Sequence, residues 1–460
     1  MLPRPALYRP AAFLCAAAAA SALAVGGSGG AAAAGGPAGV AAARLPSWTA
    51  PRPNESDPLG GYAPVPGARN SVLFLGSDEE DVGDYNHAAM INYHRGVISV
   101  AWKNGLGSSS EDAAGQRVKL VQSRDGGETW TAPALIFPSM STGALPVALF
   151  AGPFAVLNGN LYASATPAVI ATGDAQGSQF CLWPDGLDPR NAGPPGQRQP
   201  VGTLMLRRIF DGASGRFGPL FWASARSVVP DGFGPASAAA GVLVLNETDA
   251  ETQADVVSLM QTATPPCGDA AEEGTLKCEA CVGACQSYGA LPAALQLANE
   301  RAHWEIPAAA GGGDALVYRS HSGALFAAVR PPGGAWPAAV SITNIPNDDS
   351  NINAGLLPDG RTFLVSNAVP ARQRDPLTIA LSADGLAFSR AAVVMTCRNF
   401  TSASTCKARG SNVQGVGPSY PQALTVVAPA PEALRGLYVV ATNNKEDVVL
   451  TRLAFEALPQ

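Results

Sequence analysis

The sequence predicts an all-β chain of repeated antiparallel units, and three observations carry that prediction. Fifty Gly and 39 Pro interrupt the 460 residues too often for long helices, whereas short strands joined by turns tolerate them. From about Ser71 the chain becomes a succession of strand-length apolar runs, each bounded by Gly, Pro, Asn, Asp or Ser. A Gly-rich turn leading into an aromatic residue recurs along it, which is the punctuation a repeat architecture shows once per unit.

In chain order the runs are Val72–Leu75, Val97–Trp102, Val118–Val121, Leu204–Leu206, Gly241–Leu245, Ala315–Tyr318, Thr362–Val365, Leu377–Leu381 and Leu437–Ala441. Even spacing of such runs fits a sandwich, a barrel or a propeller. The repeats select the propeller. One turn is complete, Ser123-Arg-Asp125-Gly-Gly127-Glu-Thr-Trp130, and weaker echoes stand at Asp211 to Pro219, Gly333 to Pro337 and Ser382 to Phe388. In the complete copy Ser123 caps the strand end, Asp125 accepts backbone N–H bonds, Gly127 takes the positive φ, and Trp130 folds back over the turn. The role of these four residues is structural.

The N-terminus reads differently. Arg4 and Arg9 precede an apolar run from Ala11 to Val25 with small residues at Ala22 and Ala24, the layout of a secretory signal peptide over residues 1–24. A signal anchor and an organelle transit peptide are the alternatives; the run is short for a bilayer span, and no other stretch reaches that length. Residues 25–50 begin with a Gly/Ala tract and read as a linker, leaving 51–460 for the repeat domain. Sequons at Asn54, Asn246 and Asn399 fit glycosylation after export. With 47% hydrophobic and 14% charged residues the chain buries a large core, and a formal charge of −6 with no massed Lys/Arg argues against nucleic acid as a partner.

The interval of about 248–307 departs from the strand pattern and reads as an insertion. It holds Cys267, Cys278, Cys281 and Cys285 and a helix-like stretch from Leu291 to Glu300. The four cysteines fit two disulfides in an exported chain or, alternatively, a zinc site. Cys397 and Cys406 fit a further bridge, with Cys181 left over.

The turn SRDGGETW resembles the Asp-box of sialidases, S-x-D-x-G-x-x-W, also called the bacterial neuraminidase (BNR) repeat. Further segments are similar to recurring blocks of that superfamily, among them Tyr85-Asn-His87, Val317-Tyr-Arg319-Ser, Asn353 to Arg361, Arg374-Asp-Pro-Leu377 and Asn444-Lys-Glu-Asp447. The resemblance spans roughly residues 70 to 455. It implies a six-bladed β-propeller of four-stranded antiparallel blades, with the ligand site on one face near the axis. Only one box is intact, and the nearest match to the superfamily's Phe/Tyr-Arg-Ile-Pro signature is Ala43-Arg44-Leu45-Pro46, beside the Gly/Ala tract.

Cleaving a sialoside takes a carboxylate clamp, a nucleophile and an acid. The resemblance implies an arginine cluster, a Tyr paired with Glu, and an Asp for these roles, with no metal or cofactor. Guanidinium forks suit a carboxylate because they bond it bidentately. Arg319, Arg374 and Arg117 are the candidates, with Asn353 for sugar hydroxyls. Tyr420, set between Pro418 and Pro421, is the candidate nucleophile, Glu300 or Glu305 its base, and Asp84 or Asp112 the acid. His87 offers a separate acid/base near neutral pH and so a lyase reading. The loop Asn344–Asn353 is rich in carboxamides and carboxylates but fits no metal spacing. The expected function is a glycan-active propeller acting on terminal acidic sugars; a non-catalytic glycan- or protein-binding propeller is the alternative.

Overall fold

The computed structural model describes residues 44–79, 81–105, 115–142, 145–170, 181–182, 205–210, 216–222, 241–262, 301–320, 322–337, 340–370, 374–400, 406 and 416–460. Within them the chain is all-β, with one α-helix at Ala250–Thr262. Five sheets hold the strands.

The first sheet runs Tyr85–His94, Val97–Gly105, Arg117–Ser123 and Ala134–Phe137, each strand antiparallel to the last. Its tightest hairpin turns on Arg95 and Gly96, at φ 47° and 82°, the pair of left-handed residues that matches strand twist. The second sheet is built on Leu145–Leu157, Asn160–Ile170, Met205–Ile209 and Phe217–Trp222, widened by short strands at its flanks. The third takes Arg301–Glu305, Asp314–Tyr318, Ala324–Arg330 and Ser341–Pro346. The fourth takes Asn353–Leu356, Thr362–Ser366, Leu377–Ser382 and Ala387–Met395. In the fifth, Pro418–Val426, Gly436–Asn443 and Asp447–Leu453 are completed by Arg69–Phe74 from the other end of the domain. That pairing joins the two ends of the domain.

The first strand of each sheet packs against the first strand of its neighbour: Leu145–Leu157 on Tyr85–His94, Tyr85–His94 on Pro418–Val426, that strand on Asn353–Leu356, and this last on Arg301–Glu305. Apolar side chains between successive sheets make the core. Leu73, Ile98, Val100 and Trp102 pack with Tyr438, Val440 and Leu450 between the first and fifth sheets, for example. Such burial removes about 25 cal/mol of unfavourable hydration per Å² of apolar surface.

The complete Asp-box forms the turn between the third and fourth strands of the first sheet. Ser123 Oγ donates to Asp125 Oδ1 at 2.8 Å and accepts from Gly127 N at 2.8 Å, while Trp130 Nε1 donates to Gly127 O at 3.1 Å. Its echo at Ser382 repeats the first contact: Ser382 Oγ donates to Asp384 Oδ1 at 2.9 Å, again between third and fourth strands.

Two boundaries read from the sequence move. The linker stops short of residue 50, because Ser47–Trp48 pairs in parallel with Ala387–Phe388 and Trp48 is buried. Trp is too large an apolar surface to leave in a tether. The last residues of the 248–307 interval belong to a sheet, since Arg301–Glu305 is the first strand of the third. Ala302 and Trp304 point into the core there, a period of two that the preceding helix-like stretch concealed. The predicted signal peptide and Gly/Ala tract of residues 1–43, Asp112, the cysteines of that interval and the stretch Leu291–Glu300 lie outside the described residues. Cys397 and Cys406 form the expected disulfide. No described helix is long and apolar enough to cross a membrane.

Candidate functional site

Tyr420 stands near the start of the fifth sheet's first strand with φ 56° and only 4% exposed. The left-handed backbone interrupts the pairing with the next strand between Ser419 and Gln422. A β-strand residue held there is strained, and the bulge aims the ring away from the ladder. Arg319 Nη1 donates to its hydroxyl at 2.8 Å. The Arg374 guanidinium lies 5.4 Å from the ring centroid, and the His87 ring meets it edge-on at 4.1 Å.

Four sheets contribute, all at the same edge. His87 comes from the start of the first sheet's first strand; Arg319 directly follows Tyr318, the end of the third sheet's second strand. Arg374 lies between the second and third strands of the fourth sheet. In antiparallel sheets these points share one rim, which is why residues spread over 330 positions meet.

The arginines are held by Asp348 and Asp349, between the third and fourth sheets. Arg319 Nε donates to Asp349 Oδ1 at 2.6 Å, and Arg374 Nη2 donates to the Asp349 carbonyl at 2.9 Å. The Arg374 backbone N–H donates to Asp348 Oδ2 at 2.8 Å, and its carbonyl accepts from Asn367 Nδ2 at 2.6 Å. Arg374 is 7% exposed, yet its Nη1 has no hydrogen-bond partner among the described residues. A buried N–H of a cation is costly without an acceptor, and an anion is the acceptor that suits it.

The BNR repeat-like domain family matches residues 305–427, the stretch that carries Arg319, Arg374 and Tyr420. A solved sialidase has the same fold over 90% of this chain, with a TM-score of 0.62 at 19% identity. The chain thus resembles sialidases in fold, and its residues 305–427 match the BNR repeat-like domain. It spans 35% of that sialidase's length. Also similar are the NanB sialidase of Streptococcus pneumoniae, at 12% identity and TM-score 0.46 over 88% of this chain and 72% of that one, and the Trypanosoma rangeli sialidase solved with sialic acid, at 11% and 0.44 over 86% and 60%. No curated protein matches the chain in sequence.

Three predicted site residues come together at Tyr420: Arg319, Arg374 and His87. Asp84 immediately precedes the same strand, next to Tyr85, whose ring is 5.8 Å from that of His87. Arg117 opens the third strand of the first sheet, on the same rim but two strands out from His87, and its guanidinium donates to Asn104 Oδ1 at 2.7 Å and to the Asp81 carbonyl at 2.6 Å. Burial and the Asp81 loop claim it there, and desolvation lowers its pKa. Glu305 is a correction. Register pairs it with Asp314, at the opposite end of the strand from Arg301, which faces Tyr318. At about 3.3 Å per residue that puts it roughly 13 Å from the Arg319 end. Asn353 joins sheets rather than facing a ligand, with Nδ2 on Gln422 Oε1 at 3.1 Å and Oδ1 accepting from Ala423 N at 3.2 Å. Arg44, of the signature-like Ala43-Arg44-Leu45-Pro46, makes an exposed ion pair with Asp384 at 3.3 Å.

Sequence reasoning missed three residues of this cluster. Asp348 and Asp349 lay inside a loop noted for its carboxylates, whose Asn344 instead pairs both side-chain groups with Trp48 backbone at 2.6 and 3.0 Å. The signal was an acidic pair between two strands and ahead of an arginine. Lys445, 2% exposed, brings its ammonium to 5.5 Å from the Tyr420 centroid. A lysine among turn residues carries no sign of burial in sequence.

Proposed function

We propose that the chain binds terminal acidic sugars of glycans and cleaves their glycosidic bond at Tyr420. One observation supports this above the rest: Arg319 and Arg374 converge on a buried Tyr420 whose hydroxyl already takes a hydrogen bond from Arg319. Two guanidinium groups on one side of a phenol match a carboxylate set beside the bond to be broken. A phenol suits an anionic substrate because, unlike a carboxylate nucleophile, it does not repel it, and a Tyr nucleophile is known among sialidases. Nearby cations stabilise the phenolate that the attack requires.

In this reading Asp84 supplies the acid and the scaffold is a six-bladed propeller. The five described sheets and the succession of their first strands support the ring. Export through a signal peptide is part of the same proposal, supported by the Cys397–Cys406 disulfide, which persists in oxidising compartments.

Incubating the chain with a fluorogenic sialoside tests the activity, with Arg319→Ala as control. Turnover that the control loses supports the hydrolase. Binding of sialylated glycans without turnover identifies a glycan-binding propeller instead, and an ultraviolet-absorbing unsaturated product identifies lyase chemistry at His87.

A further inference from the structure

Asn443, Asn444, Lys445 and Glu446 form the β-turn between the last two strands of the fifth sheet, closed by Glu446 N donating to Asn443 O at 3.0 Å. Both central residues are left-handed, Asn444 and Lys445 each at φ 57°. Asn is at ease there, but the second place of such a turn favours Gly, and a lysine carries a steric cost. The side chain is also buried, which costs the ammonium its hydration. The fold thus pays twice for a lysine at one turn position.

The turn is held in place from three sides. Asn86 donates its backbone N–H to Lys445 O at 2.8 Å and its Nδ2 to Glu446 O at 2.6 Å. Gly417 N donates to Asn444 Oδ1 at 2.8 Å, and Asn444 N donates back to Gly417 O at 3.0 Å. Gly76 N donates to Asp447 Oδ1 at 3.1 Å. These contacts fix the lysine over Tyr420, its ammonium 5.5 Å from the ring centroid, with Arg374 at 5.4 Å and Arg319 at 5.9 Å.

We infer that Lys445 is the third cation of the anion clamp, selecting ligands with a carboxylate over otherwise identical neutral ones. The inference rests on the acidic-sugar reading of the same site. Arg319 and Arg374 come from the third and fourth sheets; Lys445 contributes a charge from the fifth, so cations from three sheets surround one phenol. A compact ammonium acts as a point charge, where Arg319 and Arg374 act as forks. Glu446, buried beside it, is the competing account, in which the lysine only neutralises a neighbour.

Binding of N-acetylneuraminic acid and of its methyl ester, measured by calorimetry on the whole chain, separates these accounts. The wild type is expected to prefer the acid, and Lys445→Asn to lose about tenfold in affinity for the acid while binding the ester unchanged, as loss of a buried charge partner dictates. Because Asn suits the left-handed turn, Lys445→Asn should melt no lower than the wild type, and Lys445→Gly should behave the same way. Weaker acid binding in a protein of undiminished stability is a signature that a structural role does not give. Acid affinity within twofold of wild type, or equal losses for acid and ester, overturns the inference while leaving the acidic-sugar reading standing. A wild type that binds neither compound overturns both.

Discussion

Arg319 holds two partners at once: its Nη1 donates to the Tyr420 hydroxyl at 2.8 Å and its Nε to Asp349 Oδ1 at 2.6 Å. One guanidinium therefore ties the candidate nucleophile of the fifth sheet to the loop between the third and fourth. The Arg319 side chain is 13% exposed and that of Asp349 36%, so the bond to the buried Tyr420 is the better shielded of the two.

Replacing Arg319 by Ala is expected to weaken binding of an acidic sugar by roughly thirtyfold or more, the range for truncating one partner of a buried charge-assisted bond. Arg319→Lys should recover little, because a single ammonium cannot reach Tyr420 and Asp349 with fixed fork geometry. Titration calorimetry with N-acetylneuraminic acid reads both; full affinity in the alanine variant would remove Arg319 from the clamp.

The Asp-box makes a pH prediction. Hydrogen bonds from the Thr129 side chain and backbone hold the Asp125 carboxyl down at about 2, below its ordinary value near 3.9. A carboxyl whose pKa falls on folding adds stability above its unfolded value, and that contribution disappears as pH falls through the folded one. The wild type should therefore melt above Asp125→Asn at neutral pH, with the gap closing between about pH 4 and pH 2. Paired melting curves across that window decide it, and a gap independent of pH would contradict the assignment.

The Cys397–Cys406 disulfide supports Arg374 at one remove. Cys397 N donates to Asp375 Oδ1 at 3.0 Å, and Asp375 directly follows Arg374. Removing the bridge with Cys397→Ser and Cys406→Ser should cost about 2–3 kcal/mol of stability for a loop of this length. Acidic-sugar affinity should fall with it. Chemical denaturation and calorimetry on the same sample measure the pair of effects; a stability loss with unchanged affinity would uncouple the bridge from the site.

Gly417 is a tight point of the rim. It has φ 114°, and a Cβ there would sit 2.7 Å from Asp375 Cβ and 2.9 Å from the Arg374 carbonyl. Gly417→Ala must push the Arg374 segment away or break the Asn444 contacts that position Lys445. Ligand affinity and melting temperature should both drop, and a variant that keeps wild-type affinity would show that the rim tolerates displacement.

The strands were legible because their signals are local. Val97–Trp102, Ala315–Tyr318 and Leu437–Ala441 read as strands from apolar content and flanking turn residues, and each is one. SRDGGETW was legible for the same reason, since every bond of its turn lies within eight residues. Arg301–Glu305 was not, because five alternating residues next to a helix-like stretch give too short a window for either period. Glu305 was misread with it.

The sequence by itself determined the all-β fold, the Asp-box turn and the residue types at the site, naming Tyr420, Arg319, Arg374 and His87. Tertiary structure alone decided which of them meet. It set Arg117 to hold Asn104 and the Asp81 carbonyl, sent Glu305 to the far end of its strand, and carried Asp349 and Lys445 to the same rim. The physical reason is that strand and turn propensities act over a few residues, whereas this site is assembled by packing the edges of four sheets against one another.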